Sequence, residues 1–113
     1  MRVCQINCVY KSGSTGKIVY AIHQHLQETN NESFVIYGNG LICNEKNVFK
    51  AAPEFVRKAQ SLRSRITGYA YAGCIYSTWR IITMLKRIKP DVVHLHCVNA
   101  YMVNIYRLLI FLK

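Results

Sequence analysis

Apolar and polar residues recur with two different periods along this chain, and the switches between them mark out alternating strands and helices. Arg2–Val9 (RVCQINCV) is β-branched and apolar with a short polar interruption, the pattern of a buried parallel strand. The segment KSGSTGK follows, rich in Gly and Ser, and predicts a tight turn in which Ser14 or Thr15 caps the next helix. In that helix Ile18, Ile22 and Leu26 recur every four residues, an apolar stripe for packing on a sheet, which fades in the polar run Glu28–Glu32. Ser33–Tyr37 (SFVIY) is a second strand, closed by Gly38-Asn39-Gly40, so the chain opens with a βαβ unit. Residues 41–65 show no comparable period, although Pro53 predicts the start of a basic helix running to about Arg65. The helical stripe returns with Ile75, Trp79, Ile82, Leu85 and Ile88, opposite Ser77, Arg80, Thr83 and Arg87, and Pro90 stops it. Asp91–His96 (DVVHLH) is a third strand, and Met102, Ile105, Leu109 and Leu112 mark a last helix.

Three parallel strands with helices between them amount to about half of a doubly wound sheet. The expected class is therefore α/β, a partial Rossmann-like parallel sheet. A length of 113 residues suits one small domain, and 51% hydrophobic against 18% charged residues excludes a disordered chain. A half-sheet leaves an edge strand and a helix face uncovered, and on that ground residues 1–113 read as an incomplete domain. No apolar run reaches the ~18 residues of a membrane span. The five cysteines are scattered, with no C-x-x-C pair and no signal-peptide pattern ahead of them, which predicts reduced thiols in a cytoplasmic protein.

Charge adds a partner class. Fifteen Lys and Arg against five Asp and Glu leave a formal +10, which predicts attraction to nucleic acid, lipid headgroups or a phosphorylated substrate. From Phe55 to Lys89 there are basic residues at Arg57, Lys58, Arg63, Arg65, Arg80, Lys86, Arg87 and Lys89 and no acidic ones. Tyr69, Tyr71, Tyr76 and Trp79 interleave with them. Such a region can rest on an anionic membrane surface, or it can be a solvated basic face with its aromatics in the core. Single-stranded nucleic acid is the rival partner. It is disfavoured because no nucleic-acid motif is present and the aromatics fall largely on the stripe expected to be buried.

Ligands of open α/β sheets bind beyond the carboxyl ends of the strands, where the turn Lys11–Lys17 lies. Gly13 and Gly16 let backbone approach a ligand closely, and the free N–H groups of a helix start favour phosphate; the alternative is that these glycines only make the turn. Two well-known loops are excluded by spacing. G-x-x-x-x-G-K-[ST] needs a wider glycine spacing and a hydroxyl where Ile18 stands, and a dinucleotide fingerprint needs a glycine at Val19. On the third strand His94 and His96 share a face, with His96 at the carboxyl end. His96 is chemically suited to general-base work, but a hydrogen-bonded role shaping the cleft floor is favoured. Cys97 points away from the histidine pair, so no metal site is predicted. His23 and His25 lie on different helix faces and are expected at the surface.

Three stretches taken together, QINCVYKSGSTGKIVYAIHQHL, ESFVIYGNG and SRITGYAYAG…IKPDVVHLHCVNAYMVNI, carry a family resemblance. From Val3 to about Ile110 the chain resembles the amino-terminal, acceptor-side domain of retaining GT-B-fold, family-4-like bacterial glycosyltransferases of capsular and exopolysaccharide biosynthesis. The resemblance implies two Rossmann-like domains across a cleft, with the carboxy-terminal one holding most of a nucleotide-sugar donor. The acceptor would be a lipid-linked glycan or oligosaccharide, and no cofactor or metal is implied. It places Gly13, Ser14, Thr15, Gly16 and Lys17 near the donor diphosphate, and the segment His94–Asn99, with His96 and Asn99, near the transferred sugar. Where the family commonly reads H-L-H-N-I-H-G, this chain has His94-Leu95-His96-Cys97-Val98-Asn99-Ala100, so an amide stands for a histidine at Asn99. The family's next strand and the donor domain lie outside residues 1–113, so these residues alone are not expected to turn over. A non-enzymatic basic α/β module that binds phosphate-bearing ligands or nucleic acid is the alternative reading.

Overall fold

The computed structural model describes residues 1–68, 74–98 and 102–113. Asn99 and Ala100, together with Tyr69 and Tyr71 of the basic middle, lie outside the described residues. The elements run β1 (Arg2–Val9), α1 (Gly13–Glu28), β2 (Glu32–Asn39), β3 (Val48–Lys50), α2 (Glu54–Thr67), α3 (Ile75–Ile88), β4 (Val92–Leu95) and α4 (Ile105–Leu112). The four strands form one all-parallel sheet in the order β3-β2-β1-β4. This is an α/β fold of partial Rossmann-like form, with helices on both faces.

The core forms on both sides of the sheet because β1 and β2 are buried along most of their length, on both faces. Cys4, Ile6 and Ile36 pack on one face against Ile81, Leu85 and Ile88 of α3 and against Met102, Val103 and Leu108. Val35 and Tyr37 pack on the other face with Val19 of α1, Tyr10 and Val48. The end of α1 is fixed locally. Asn30 takes a left-handed conformation (φ 61°), Asn31 N–H donates to the Leu26 carbonyl (2.9 Å) and Asn30 N–H to that of Gln27 (3.3 Å), a Schellman arrangement that satisfies carbonyls otherwise left open.

The structure corrects several expectations. The sheet has a fourth strand, β3, inside residues 41–65; at three residues it is too short to show a period-2 pattern and lies at the sheet edge. The buried face of α1 is Gly16, Val19 and His23, not a stripe led by Ile18, which is 53% exposed. His23, expected at the surface, is only 1% exposed because Ser33 supplies the hydrogen bond that water would have made (Nδ1 to Oγ, 2.7 Å). His25 is exposed as expected. On α3 the buried set is Ser77, Thr78, Ile81, Leu85 and Ile88, so Ser77 lies inside while Ile75 and Trp79 are exposed. On α4 it is Leu108 that is buried, with Leu109 outside. The cap of α1 is Ser12, with extended backbone and no side-chain cap bond, so Ser14 and Thr15 fall in the first helical turn.

Candidate functional site

The order of the sheet sets β1 and β4 side by side, paired from Val3 with Val92 to Ile6 with Leu95. Beyond that ladder the backbones stay joined: His96 N–H donates to the Ile6 carbonyl (3.0 Å) and Cys8 N–H to the Cys97 carbonyl (2.7 Å). The loops after the first and last strands therefore leave the sheet from adjacent points. Asn7, fully buried at the end of β1, holds both of them. Its Nδ2 donates to the Val9 carbonyl (2.7 Å), and its Oδ1 accepts from Cys97 N–H (3.1 Å).

In the first loop, Lys11 (φ 66°) and Gly13 (φ 65°) turn the chain, and Lys11 N–H closes the turn on the Gly16 carbonyl (3.1 Å). Gly16 is buried because helix and strand meet there. A Cβ at this position would lie 3.1 Å from Val9 Cγ2 and 3.2 Å from Lys11 N, so a larger residue fits only if Val9 and the turn backbone give by a few tenths of an ångström. The helix start that results carries neither a side-chain cap nor an acidic residue in its first turn, and its N–H groups and positive dipole end are open to an anion. Gly13, Ser14 and Lys17 are exposed, while the half-buried Thr15 hydrogen-bonds the Cys8 thiol. Lys11 is committed elsewhere: its ammonium pairs with Glu45 and lies over the Tyr20 ring (4.8 Å). Glu45 also accepts from the Tyr10 hydroxyl (2.7 Å), and burial pushes that phenol up to about 12.

His96 faces the α1 side of the sheet. Its ring stacks on His94 with centroids 3.9 Å apart, and its Nε2 donates to Gln5 Oε1 (2.9 Å). Gln5, fully buried, passes the contact on by donating to the Val19 carbonyl of α1 (3.3 Å). Burial first, and the neighbouring His94 second, hold the His96 imidazole below its ordinary range, so near neutral pH it is uncharged. A neutral ring with Nε2–H on Gln5 keeps Nδ1 as an acceptor. Asn99, the remaining residue assigned to the site from sequence, lies outside the described residues.

The geometry thus joins Thr15, Cys8 and Cys97 at the meeting of the two loops, and holds His96 one layer below through Gln5. Gln5 and Asn7 were not singled out from the sequence, although their signal is there. They are polar residues at alternate positions of an otherwise apolar strand, where burial demands a partner for each.

A second feature lies away from the sheet end. A cavity of about 690 Å³ opens between α2 and α3, lined by Phe55, Val56, Ala59, Trp79, Ile82 and the Arg63 and Arg107 side chains among others. Trp79 is 61% exposed there and Tyr76 lies beside it, with ring centroids 6.2 Å apart. Leu62 and Ile66 of α2 are exposed as well. The aromatics of the basic region are therefore at the surface where they are described, contrary to the expectation that they were core.

Among the described residues no group of three His, Cys, Asp or Glu side chains is placed to hold a metal ion, and no helix is long and apolar enough to cross a membrane. No protein-family model, no curated protein and no solved structure matches this chain.

Proposed function

We propose that this chain is the acceptor-side Rossmann-like part of a retaining glycosyltransferase that passes a hexosyl unit from a nucleotide-sugar to a lipid-linked glycan in polysaccharide biosynthesis. The single observation that carries the proposal is the joining of the β1–α1 turn to the end of β4 through Cys8, Thr15 and Cys97. Two loops that meet at the carboxyl end of a parallel sheet form one wall of a pocket, and an uncapped helix start in that wall suits a diphosphate. Gly13, Ser14 and Thr15 offer backbone N–H groups, Lys17 adds an exposed charge, and a departing nucleotide diphosphate gains from both. His96, neutral and held by Gln5, orients sugar hydroxyls from the adjoining strand and does not carry a proton through the reaction. The donor's base and ribose would be held by a second domain, so binding to this chain alone is weak and transfer by it alone is not expected.

The test is a titration of the whole chain with a nucleoside diphosphate-sugar, followed by amide NMR. Expected are shifts confined to Ser12–Lys17 and the residues after Leu95. Ser14→Pro, tolerated in a first helical turn, deletes one free N–H and is expected to weaken binding at least about tenfold without unfolding. Gly16→Val is expected to abolish it. Absent shifts, or shifts elsewhere with both variants binding as the parent does, would refute the assignment of the turn.

The same reading gives the α2–α3 region a peripheral seat on the cytoplasmic face of the plasma membrane. Exposed apolar residues and Arg63 and Arg107 around one cavity match an anionic lipid surface, with acyl chains below and headgroup charge at the rim. Nucleic acid is the second reading, and the exposed Tyr76–Trp79 pair is the observation in its favour. Lipid is preferred because Phe55, Leu62 and Ile66 add aliphatic and apolar surface that base stacking does not use.

A further inference from the structure

Of the five cysteines, none in a disulfide, Cys4 and Cys74 are fully buried, and burial pushes them up to about 12 and about 11, so both are inert. Cys43 packs beside Tyr37 on the α1 side of the sheet, with its N–H on the Tyr37 hydroxyl (2.9 Å). Cys8 and Cys97 differ from all three. They are partly exposed and adjacent, Cys8 in β1 and Cys97 two residues past the end of β4, joined by a backbone hydrogen bond of 2.7 Å from Cys8 N–H to the Cys97 carbonyl. Asn7 fixes the Cys97 backbone at 3.1 Å, and the two thiols are near enough to influence each other's ionisation. That backbone bond, with the one from His96 N–H to the Ile6 carbonyl, carries the β1–β4 pairing past its ladder and holds the two residues near the ~4.7–4.9 Å strand spacing, within the ~4.4–6.8 Å between Cα atoms that a disulfide spans. The pair can therefore close without moving the sheet.

We propose that Cys8 and Cys97 are a redox-modifiable dithiol, closed to an intramolecular disulfide by a low-molecular-weight disulfide such as oxidised glutathione. One protein thiolate attacks a sulfur of the small disulfide, forming a mixed disulfide and expelling one small thiolate. The second protein thiolate then attacks the bound sulfur and expels the other. Two protein S–H groups lose their hydrogens as protons, the small disulfide gains two electrons, and two small thiols leave. Burial first, and the neighbouring Cys97 second, raise the Cys8 thiol.

Closure acts on the turn because Thr15 is hydrogen-bonded to the Cys8 sulfur. The crosslink ties the start of α1 to the end of β4 and takes from Thr15 the thiol it holds in the reduced chain. This inference stands on the thiol geometry alone and holds whether or not the chain binds a sugar nucleotide.

The experiment equilibrates the whole chain with reduced and oxidised glutathione, traps remaining thiols by alkylation, and maps the peptides by mass spectrometry. A peptide crosslinked from Cys8 to Cys97 is expected as the main product, with two hydrogens lost from the intact mass. Because the bond closes a long loop, Tm is expected to rise by at least about 5 °C on oxidation and to return on reduction. Cys43→Ser should leave the crosslink intact. Cys97→Ser should abolish it and the Tm rise. A crosslink between other cysteines, stable glutathione adducts without closure, or thiols at Cys8 and Cys97 that stay reduced while Cys43 reacts would each overturn the proposal.

Discussion

A buried imidazole is tolerated only when both nitrogens find partners, and His23 meets that condition. Nδ1 reaches Ser33 Oγ at 2.7 Å, and Nε2 accepts from Gln27 Nε2 at 3.3 Å, which fixes the neutral tautomer with its proton on Nδ1. Burial, and secondly the Lys11 charge, hold its protonation below the ordinary histidine range. His96 is shifted in the same direction. In both cases the unfolded chain takes up its proton first as pH falls. The stabilisation is complete above the ordinary histidine value of ~6.5 and is lost as pH falls through it toward the lower folded values. Tm is therefore expected to fall between pH 7.5 and pH 5.5. His23→Gln should lower stability at pH 7.5 by about 1–3 kcal/mol, through its lost hydrogen bonds, while flattening part of the acid slope. An acid slope identical to the parent's would show that His23 does not titrate with folding. The rest of the slope belongs to His96, whose link through Gln5 to α1 is of the same kind: a polar group buried because a named partner is waiting.

At the level of elements, polar contacts also decide how the helices are rotated. Thr78 is buried on α3 because its hydroxyl donates to the Cys74 carbonyl and accepts from Asn104 N–H at 2.7 Å. Asn104 in turn caps α4, its Oδ1 accepting from Arg107 N–H at 3.1 Å. One hydroxyl thus registers α3 against the start of α4, and α3 turns its Ile75–Trp79 edge outward. Thr78→Val keeps the volume and strands the Asn104 N–H. We expect a loss of about 1–3 kcal/mol in urea unfolding, whereas Thr83→Val, on an exposed hydroxyl that bonds only its own helix, should change stability by less than about 0.5 kcal/mol. Equal losses at both sites would refute the registering role. The periodic apolar residues were enough to predict that α3 exists and where Pro90 ends it. They could not set its rotation, since Ser77 reads as solvent-facing until the partner helix is in place.

For the molecule as a whole, acidic and basic residues are unevenly distributed along the chain. The acidic residues Glu32 and Asp91 meet Arg2 at the amino ends of the strands, and Glu45 meets Lys11 at the turn. The stretch from Phe55 to Lys89 keeps its positive charge without any acidic residue. The whole chain is expected to bind vesicles containing anionic phospholipid and not purely neutral ones. Raising salt from about 0.1 M to about 0.5 M should weaken that binding at least about tenfold, because the Debye length shrinks below the spacing of surface charges. Combining Phe55→Ala with Trp79→Ala should remove most of the binding that survives high salt. Tight binding of single-stranded oligonucleotides with no vesicle binding would decide for nucleic acid instead.

Local patterning carried the fold class, the positions of β1, α1, β2, α3 and β4, and the placement of a glycine turn beyond a parallel strand. These follow from near-neighbour rules, since period, turn chemistry and proline stops are written in consecutive residues. The adjacency of β1 and β4, the short strand β3, the burial of His23 and Thr78, and the pairing of Cys8 with Cys97 were settled by long-range contacts. Each depends on a partner ten or more residues away, and a polar side chain is sorted inside or outside by whether that partner arrives, not by its own hydropathy.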